Sequence, residues 1–289
     1  MSLAIGIDIG GSKIKGVLVD EESRVINSYE RPTEADKPAR KIITNILEVV
    51  TNLRTEHVGN LGVSSPGFEL PNGQTTGMPN LKNLEGYNLR RILQSKTGLR
   101  VYLDNDANCF TVAEHKKGAA KGCQNVIGVI IGTGVGTGII IKGELYRGAT
   151  GGAGECGHTK MLVFDEVKEV EDLISGPNLI KKYENLSGRK ALRPDVIFES
   201  DDPAARKVYD AFILFTGLFF SNLINTFNPE VIVVGGGISN IPFYHDVQKV
   251  VKAYAQPALR NACKIKKNAL GDDSGALGAA YLAMKDITI

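Results

Sequence analysis

The sequence predicts an α/β chain built as two domains. Three observations carry this. Apolar strand-like runs alternate with helical periodicities, a strand–glycine turn–strand unit recurs in each half, and glycine gathers at strand ends. The length of 289 residues suits one large or two modest domains. Hydrophobic and charged fractions of 43% and 23% are ordinary for a globular chain, which excludes disorder and fibrous architecture. A net charge of +2 provides no basic field, so no nucleic-acid partner is expected. The 33 glycines exceed the usual share of about 7% and follow no collagen period. Such clusters mark backbone that turns sharply or approaches something closely.

Taken in order, Leu3–Asp8, Ile14–Val19 and Arg24–Glu30 read as three successive antiparallel strands, the first two separated by Gly10-Gly11. Lys37–Leu53 carries apolar residues at helical spacing, and Val58–Val63 is a further strand. Ser64–Arg100 is rich in Pro, Gly and Asn before the amphipathic stretch Leu89–Thr97; a long irregular segment of this kind is often functional. Val101–Leu103 is a strand and Ala107–Lys117 a helix. The second half begins with strand Val126–Ile131, a glycine turn over Gly132–Gly138, strand Ile139–Lys142 and a third strand at Glu144–Tyr146. Aligning Ile9–Val19 with Ile131–Ile141 superimposes Gly10 on Gly132 and Gly16 on Gly138, which suggests a duplicated unit. Asp202–Phe227 is a long helix, Val231–Val234 a strand, and Phe243–Leu259 another helix. The last helix, Ser274–Met284, is rich in small residues that permit close packing.

No apolar run approaches the ~20 residues needed to span a bilayer, and Met1–Ile9 lacks the features of a signal peptide. Cys109, Cys123, Cys156 and Cys263 show no Cys-x-x-Cys spacing and read as small, partly buried apolar residues. The expectation is a soluble cytoplasmic protein without a membrane partner. The apolar stretch Phe212–Phe227 reads as core, with a homodimer interface as the alternative.

Three glycine clusters follow apolar strands: Asp8-Ile9-Gly10-Gly11-Ser12-Lys13, Gly132–Gly138 and Gly235-Gly236-Gly237. Glycine-rich turns expose backbone N–H groups that bind phosphate oxygens; Asp8 would help hold a hydrated magnesium ion and Lys13 would meet a phosphate. Each cluster taken singly reads better as a tight hairpin; paired strand–turn–strand loops from two domains suggest a nucleotide instead. The residues after Gly138 are β-rich, which speaks against a dinucleotide-binding fingerprint, since that must open a helix. Asp104-Asn105-Asp106-Ala107-Asn108 stands where a strand ends and a helix begins. One of these residues is needed as a helix N-cap, but a carboxylate so placed is also suited to act as general base toward a hydroxyl. Gly151–His158 joins loop glycines to Glu155 and His158, a combination that suits a polyol.

These residues resemble the ROK family of sugar kinases and repressors, within the actin-like ATPase (ribonuclease H-like) fold. The resemblance runs through Asp8–Lys13 (Ser12 where the family usually has Thr), Ser65-Pro66-Gly67, Pro79-Asn80-Leu81, Asn105–Asn108, Gly132–Gly138, Gly154–His158, Gly235–Gly237 and Leu270–Asp273. It implies two actin-like domains, residues 1–118 plus 275–289 and residues 119–274, with a cleft between them. It further implies an ATP- and Mg2+-dependent kinase phosphorylating the primary hydroxyl of a hexose, glucose to glucose 6-phosphate by family prevalence. Asp106 would be the general base, and Gly67, Asn105, Glu155, His158 and Glu171 would bind the sugar. Gly10, Gly11, Ser12, Lys13, Gly132, Thr133 and Gly134 would hold phosphates, with Gly235, Gly236 and Gly237 near the adenosine. Many members carry a cysteine-rich zinc motif after the Gly-His pair; Thr159–Val170 contains no cysteine, so no metal-ligand residue and no structural zinc is expected.

The alternatives are a kinase for N-acetylmannosamine, N-acetylglucosamine or fructose, a non-catalytic sugar-sensing protein of the same family, and an actin-like ATPase acting on proteins. The first strand begins at about Leu3, which leaves no place for the helix-turn-helix of a repressor. Asn105-Asp106 and the Glu155/His158 loop suit a small polyol better than a protein.

Overall fold

The computed structural model describes residues 3–284. The first two residues of Met1–Ile9 and the last five of the expected 275–289 segment lie outside the described residues. Along the chain run β1 (Leu3–Ile9), β2 (Lys13–Val19), β3 (Val25–Pro32), α1 (Ala39–Leu53), β4 (Val58–Ser65), β5 (Phe68–Glu69), β6 (Thr75–Thr76), α2 (Leu89–Thr97), β7 (Arg100–Asn105) and α3 (Asp106–Lys116). There follow β8 (Val126–Ile131), β9 (Val135–Ile141), β10 (Glu144–Leu145), β11 (Lys160–Val163), β12 (Glu166–Glu169), α4 (Val170–Ile174), α5 (Gly176–Ser187), α6 (Pro194–Phe198) and α7 (Pro203–Phe227). The chain closes with β13 (Val231–Gly235), α8 (Tyr244–Tyr254), β14 (Lys264–Lys267) and α9 (Ser274–Met284). Two compact units result. One comprises residues 1–116, 147–153 and 270–289; the other comprises residues 117–146 and 154–269.

The first unit is a five-stranded sheet in the order β3-β2-β1-β4-β7. β1 pairs antiparallel with β2 and parallel with β4, and β4 runs parallel to β7. Ile5, Ile7 and Ile9 of β1 are buried, and α1 covers them with Ile42, Ile46, Val49, Val50 and Leu53, a stripe at helical spacing. Asn88 caps α2 by accepting from the Arg91 N–H, and Gly98 ends it in the left-handed region. α9 lies against β1, β4 and α3 at distances only glycine permits. A Cβ on Gly62 of β4 would sit 1.8 Å from the Ala279 carbonyl oxygen, and one on Gly278 1.7 Å from that of Cys109. The small residues of the last helix therefore let backbone rest on backbone.

The second unit repeats the plan in the order β10-β9-β8-β13-β14, with β8 parallel to β13 and β13 parallel to β14. Its core gathers Phe212, Phe219 and Phe220 of α7 with Phe243, and Phe212 meets Phe243 edge-on at 5.3 Å. By length and composition α7 is able to cross a bilayer, although Arg206, Lys207 and Asp210 interrupt its apolar run. Its buried phenylalanines make it a core helix of this unit, as read for Phe212–Phe227. α8 stops at Tyr254, five residues short of the expected Leu259, and β14 and the β11–β12 hairpin were not foreseen. β14 reads Lys-Ile-Lys-Lys, so its edge position rather than its apolarity makes it a strand.

The glycine segment Gly132–Gly138 is corrected by the structure. Only Gly132–Gly134 turn; Val135–Gly138 already belong to β9. The duplicated unit is real in strand order, but Gly16 and Gly138 are not equivalent. β1 and β2 close through Ile9↔Ile14, leaving four residues in the turn, whereas β8 and β9 close through Ile131↔Val135, leaving three. Gly16 faces Ile7, while Gly138 faces Gly128. With a side-chain period of two, a one-residue difference exchanges the faces of a strand.

Gly62→Ala is expected to destabilise the protein by roughly 1–3 kcal/mol or more, since an added methyl group has no volume to enter. Urea unfolding will show it as a lower midpoint at unchanged slope.

Candidate active site

In the first unit, Asp8, the penultimate residue of β1, lies beside Ser64 of β4, whose hydroxyl donates to Asp8 Oδ1 at 2.5 Å. Burial pushes the Asp8 carboxyl above its ordinary range, against the Ser64 hydrogen bond and the nearby Lys13 and Lys15. The turn that follows is braced from within. The Gly10 N–H donates to the Lys13 carbonyl at 2.9 Å, and the Thr33 hydroxyl donates to the Gly10 carbonyl at 2.6 Å. Gly11 lies against Asn80, where a Cβ would come within 3.1 Å of the Asn80 Cβ. Ser12 and Lys13 are exposed, and Lys13 Nζ stands 3.4 Å from Glu30 and 3.9 Å from Asp272.

The junction of β7 and α3 resolves the cluster Asp104–Asn108. Asn105 is the cap: its Oδ1 accepts from the Ala107 N–H at 2.8 Å, and its Nδ2 donates to the Gly67 carbonyl at 2.9 Å. Asp104 is structural. Its Oδ1 accepts from the Asn105 N–H and from Asn108 Nδ2, and its Oδ2 accepts from Arg147 Nε at 2.8 Å. With its neighbours so employed, Asp106 stands half-buried at the first position of α3, one carboxylate oxygen accepting from the Ala107 N–H at 2.8 Å. A carboxylate at a helix N-terminus is stabilised in its charged form by the helix dipole. Gly67, Asn105 and Asp106 are thus brought together within this unit.

In the second unit the loop carrying Glu155 and His158 rests on the backbone of β9. A Cβ on Gly154 would lie 2.2 Å from the Thr137 carbonyl oxygen, and one on Gly157 2.1 Å from that of Val135. Two glycines three apart in the loop therefore match two carbonyls two apart on the strand. The Thr137 hydroxyl donates to the Gly154 carbonyl and fastens the contact. Glu155 and His158 project from either side of Gly157, His158 Nε2 lying 3.8 Å from Glu155 Oε2.

His158 Nδ1 lies 2.7 Å from Glu169 Oε2, and Lys160 pairs with the other oxygen of the same carboxylate. Glu169 ends β12, which the β11–β12 register sets opposite Lys160. This acid was missed in the sequence because its partner lies eleven residues away across a hairpin that had not been read. The Glu169 hydrogen bond, aided by the charges of Glu169, Glu155 and Glu171, raises the His158 pKa above its ordinary value.

Glu171 is engaged elsewhere than on His158. Its Oε2 accepts from the Val135 N–H at 2.7 Å and lies against Gly134, so the carboxylate braces the Gly132–Gly134 turn. The Gly132 N–H donates to the Gly134 carbonyl, and the Gly132 carbonyl accepts from the Gly176 N–H of α5, both at 2.9 Å. Thr133 is exposed. Gly235 ends β13, Gly236 takes a φ of 83°, and Gly237 begins a short turn. Among the described residues, no group of three or more His, Cys, Asp or Glu is arranged to hold a metal ion. The interval where the resemblance directs attention to zinc ligands is the β11–β12 hairpin.

The sequence model of the ROK family matches residues 4–286. The chain belongs to the ROK family. An N-acetyl-D-glucosamine kinase from Histophilus somni is 30% identical over 303 residues, covering 96% of this chain and 97% of that one. The crystal structure of a ROK hexokinase from Thermus thermophilus superposes with a TM-score of 0.88 at 26% identity, covering 99% of each chain. A ROK family glucokinase from Streptomyces griseus, in complex with glucose and AMPPNP, superposes with a TM-score of 0.82 at 27% identity, covering 98% of this chain and all of that one. The fold of this ROK protein is accordingly the actin-like ATPase fold expected from the sequence.

The His158 imidazole is expected to titrate above 6.5, and Glu169→Gln to bring it down, as followed by NMR of the ring protons. Because the folded-state pKa is the raised one, the stability this ion pair lends is full below the ordinary histidine value and is lost as pH rises through the folded value.

Proposed function

We propose that this ROK protein is an ATP-dependent hexose kinase that phosphorylates a primary hydroxyl, with glucose as substrate and glucose 6-phosphate as product. The observation that carries the reading is Asp106. It is a half-buried carboxylate at the end of a parallel strand, beside an asparagine and an aspartate already committed to capping and bracing. Family membership and the ligands named for the Streptomyces griseus glucokinase support the same chemistry.

In this mechanism Asp106 accepts the proton of the sugar's primary hydroxyl as its oxygen attacks the γ-phosphorus. The bond from that phosphorus to the bridging oxygen breaks, and ADP leaves. The transition state is loose, so positioning and charge stabilisation supply most of the acceleration. Gly67, Asn105, Glu155 and His158 hold the sugar. Asn105 contributes through its Nδ2, because its Oδ1 is occupied by the α3 cap. Glu171 serves the sugar through the oxygen that does not hold the Val135 N–H. The leading N–H groups of both glycine turns are spent inside the turns, so phosphates fall to the residues after them: Gly11, Ser12 and Lys13 in one, Thr133 and Gly134 in the other. Gly235, Gly236 and Gly237 lie near the adenosine.

Mg2+ prefers oxygen ligands, keeps several waters, and is held by one or two carboxylates together with substrate phosphates. Asp8, a strand-end carboxylate beside the Gly10–Lys13 turn, fits that demand and is the residue that would hold it. The ion would neutralise charge on the phosphates.

The Histophilus somni relative favours a second reading, phosphorylation of N-acetylglucosamine. ADP release measured across glucose, N-acetylglucosamine, N-acetylmannosamine and fructose with ATP separates the two readings. Glucose is expected to give the highest kcat/KM, and failure of every sugar to stimulate ADP release overturns the kinase reading. Asp106→Asn is expected to lower turnover by about 10²–10⁴-fold while sugar binding stays measurable by calorimetry.

A further inference from the structure

Of the two ring nitrogens of His158, one is already spoken for. Nδ1 lies 2.7 Å from Glu169 Oε2, inside hydrogen-bond range, while Nε2 stands 3.8 Å from Glu155 Oε2, beyond it. The Glu169 carboxylate is itself tethered. Lys160 engages its second oxygen, and the Glu169 N–H donates to Asp172 at the start of α4. The Val170 N–H donates to the Thr159 carbonyl at 2.9 Å, so the strand bearing the acid is pinned to the residue after the histidine. The His158 side chain remains 58% exposed, so packing does not hold the ring in place. Its orientation rests on this hydrogen bond.

We propose that Glu169 is the positioning residue of sugar recognition: through Nδ1 it fixes the His158 ring so that Nε2, beside Glu155, meets the substrate. Which imidazole nitrogen carries the proton is set by the bond the other one makes. A carboxylate on Nδ1 keeps that nitrogen protonated in both charge states of the ring and leaves Nε2 as the variable face. The 3.8 Å gap between Nε2 and Glu155 Oε2 is too wide for a direct bond. It is suited to a single hydroxyl oxygen about 2.8 Å from each, accepting from Nε2–H of the protonated ring and donating its own proton to the carboxylate. The Glu169–His158–Glu155 series thus selects a hydroxyl, which both donates and accepts, over a group that only accepts. Lys160 and the β11–β12 hairpin hold the series from behind.

This inference rests on the kinase reading for the identity of the ligand, but not for the state of the ring. The test joins 15N NMR of the histidine side chains with steady-state kinetics on the full chain. In the wild type, His158 is expected to show a protonated Nδ1 at every pH. In Glu169→Ala the ring is expected to populate both neutral tautomers, and the sugar KM to rise by roughly tenfold to a hundredfold, the worth of a hydrogen bond to a charged group. The kcat is expected to stay within about twofold and the KM for ATP to be unchanged, because only substrate binding is lost. Glu169→Gln, which keeps an acceptor in place, is expected to recover part of the sugar KM and the single tautomer, and it serves if the alanine variant does not fold. A folded Glu169→Ala protein that keeps one Nδ1-protonated tautomer, or keeps the wild-type sugar KM, overturns the proposal, as does a Glu169→Gln protein whose sugar KM equals that of the wild type. A wild type that phosphorylates no hexose removes the kinase reading and the sugar assignment together, while the tautomer result then stands or falls on its own.

Discussion

Backbone lying directly on backbone is the constraint on which both units depend. In one, α9 presses its carbonyls onto β4 and its own glycine onto α3; in the other, the Gly154–Gly157 loop lies on the carbonyls of β9. Neither contact leaves room for a Cβ, and each has a consequence for chemistry. The first sets a helix against the sheet strands whose ends carry Asp8 and Asn105. The second decides the direction in which Glu155 and His158 leave the loop. Interiors pack too densely for such contacts to loosen by a methyl group without cost. Gly6, Gly62, Gly154, Gly157 and Gly278 answer this requirement.

Much of the fold was legible because its signals are local. The alternation in β1, β2 and β8, the helical stripe of α1 and the small residues of α9 each announce their element without reference to distant partners. β14 and the β11–β12 hairpin were not legible, since Lys-Ile-Lys-Lys and Glu-Val-Lys-Glu lack an apolar signature and become strands by pairing. The extent of the second glycine turn was misjudged for a related reason. Gly136 and Gly138 look like turn residues, yet they lie within β9, paired with Ile130 and Gly128.

The candidate site shows the same division. Residue types and order single out Asp106, Asn105, Glu155 and His158 as candidates, but not how their atoms are shared. The sequence offered several polar residues for one helix cap; geometry gives the cap to Asn105 and the bracing to Asp104. Glu171 was expected at the sugar, and one of its oxygens is held by the Val135 N–H at a glycine turn. Glu169 carried no signal, because its meaning comes from a histidine reached only across a hairpin. Hydrogen-bond partners separated by unread structure are what a linear reading loses.

The unequal turns of the two sheets limit how far the halves are interchangeable. Four residues lie between the closing pair Ile9↔Ile14 of the first sheet, and three between Ile131↔Val135 of the second. A chimera that exchanged Gly10-Gly11-Ser12 for Gly132-Thr133-Gly134 with the register of the second sheet would set Lys13 opposite Ile9 and shift β2 by one residue. Lys15, which now pairs with Asp273, would be carried to the face where Ile14 and Gly16 are buried beneath α1. The two sheets share a strand plan, yet their parts are not interchangeable.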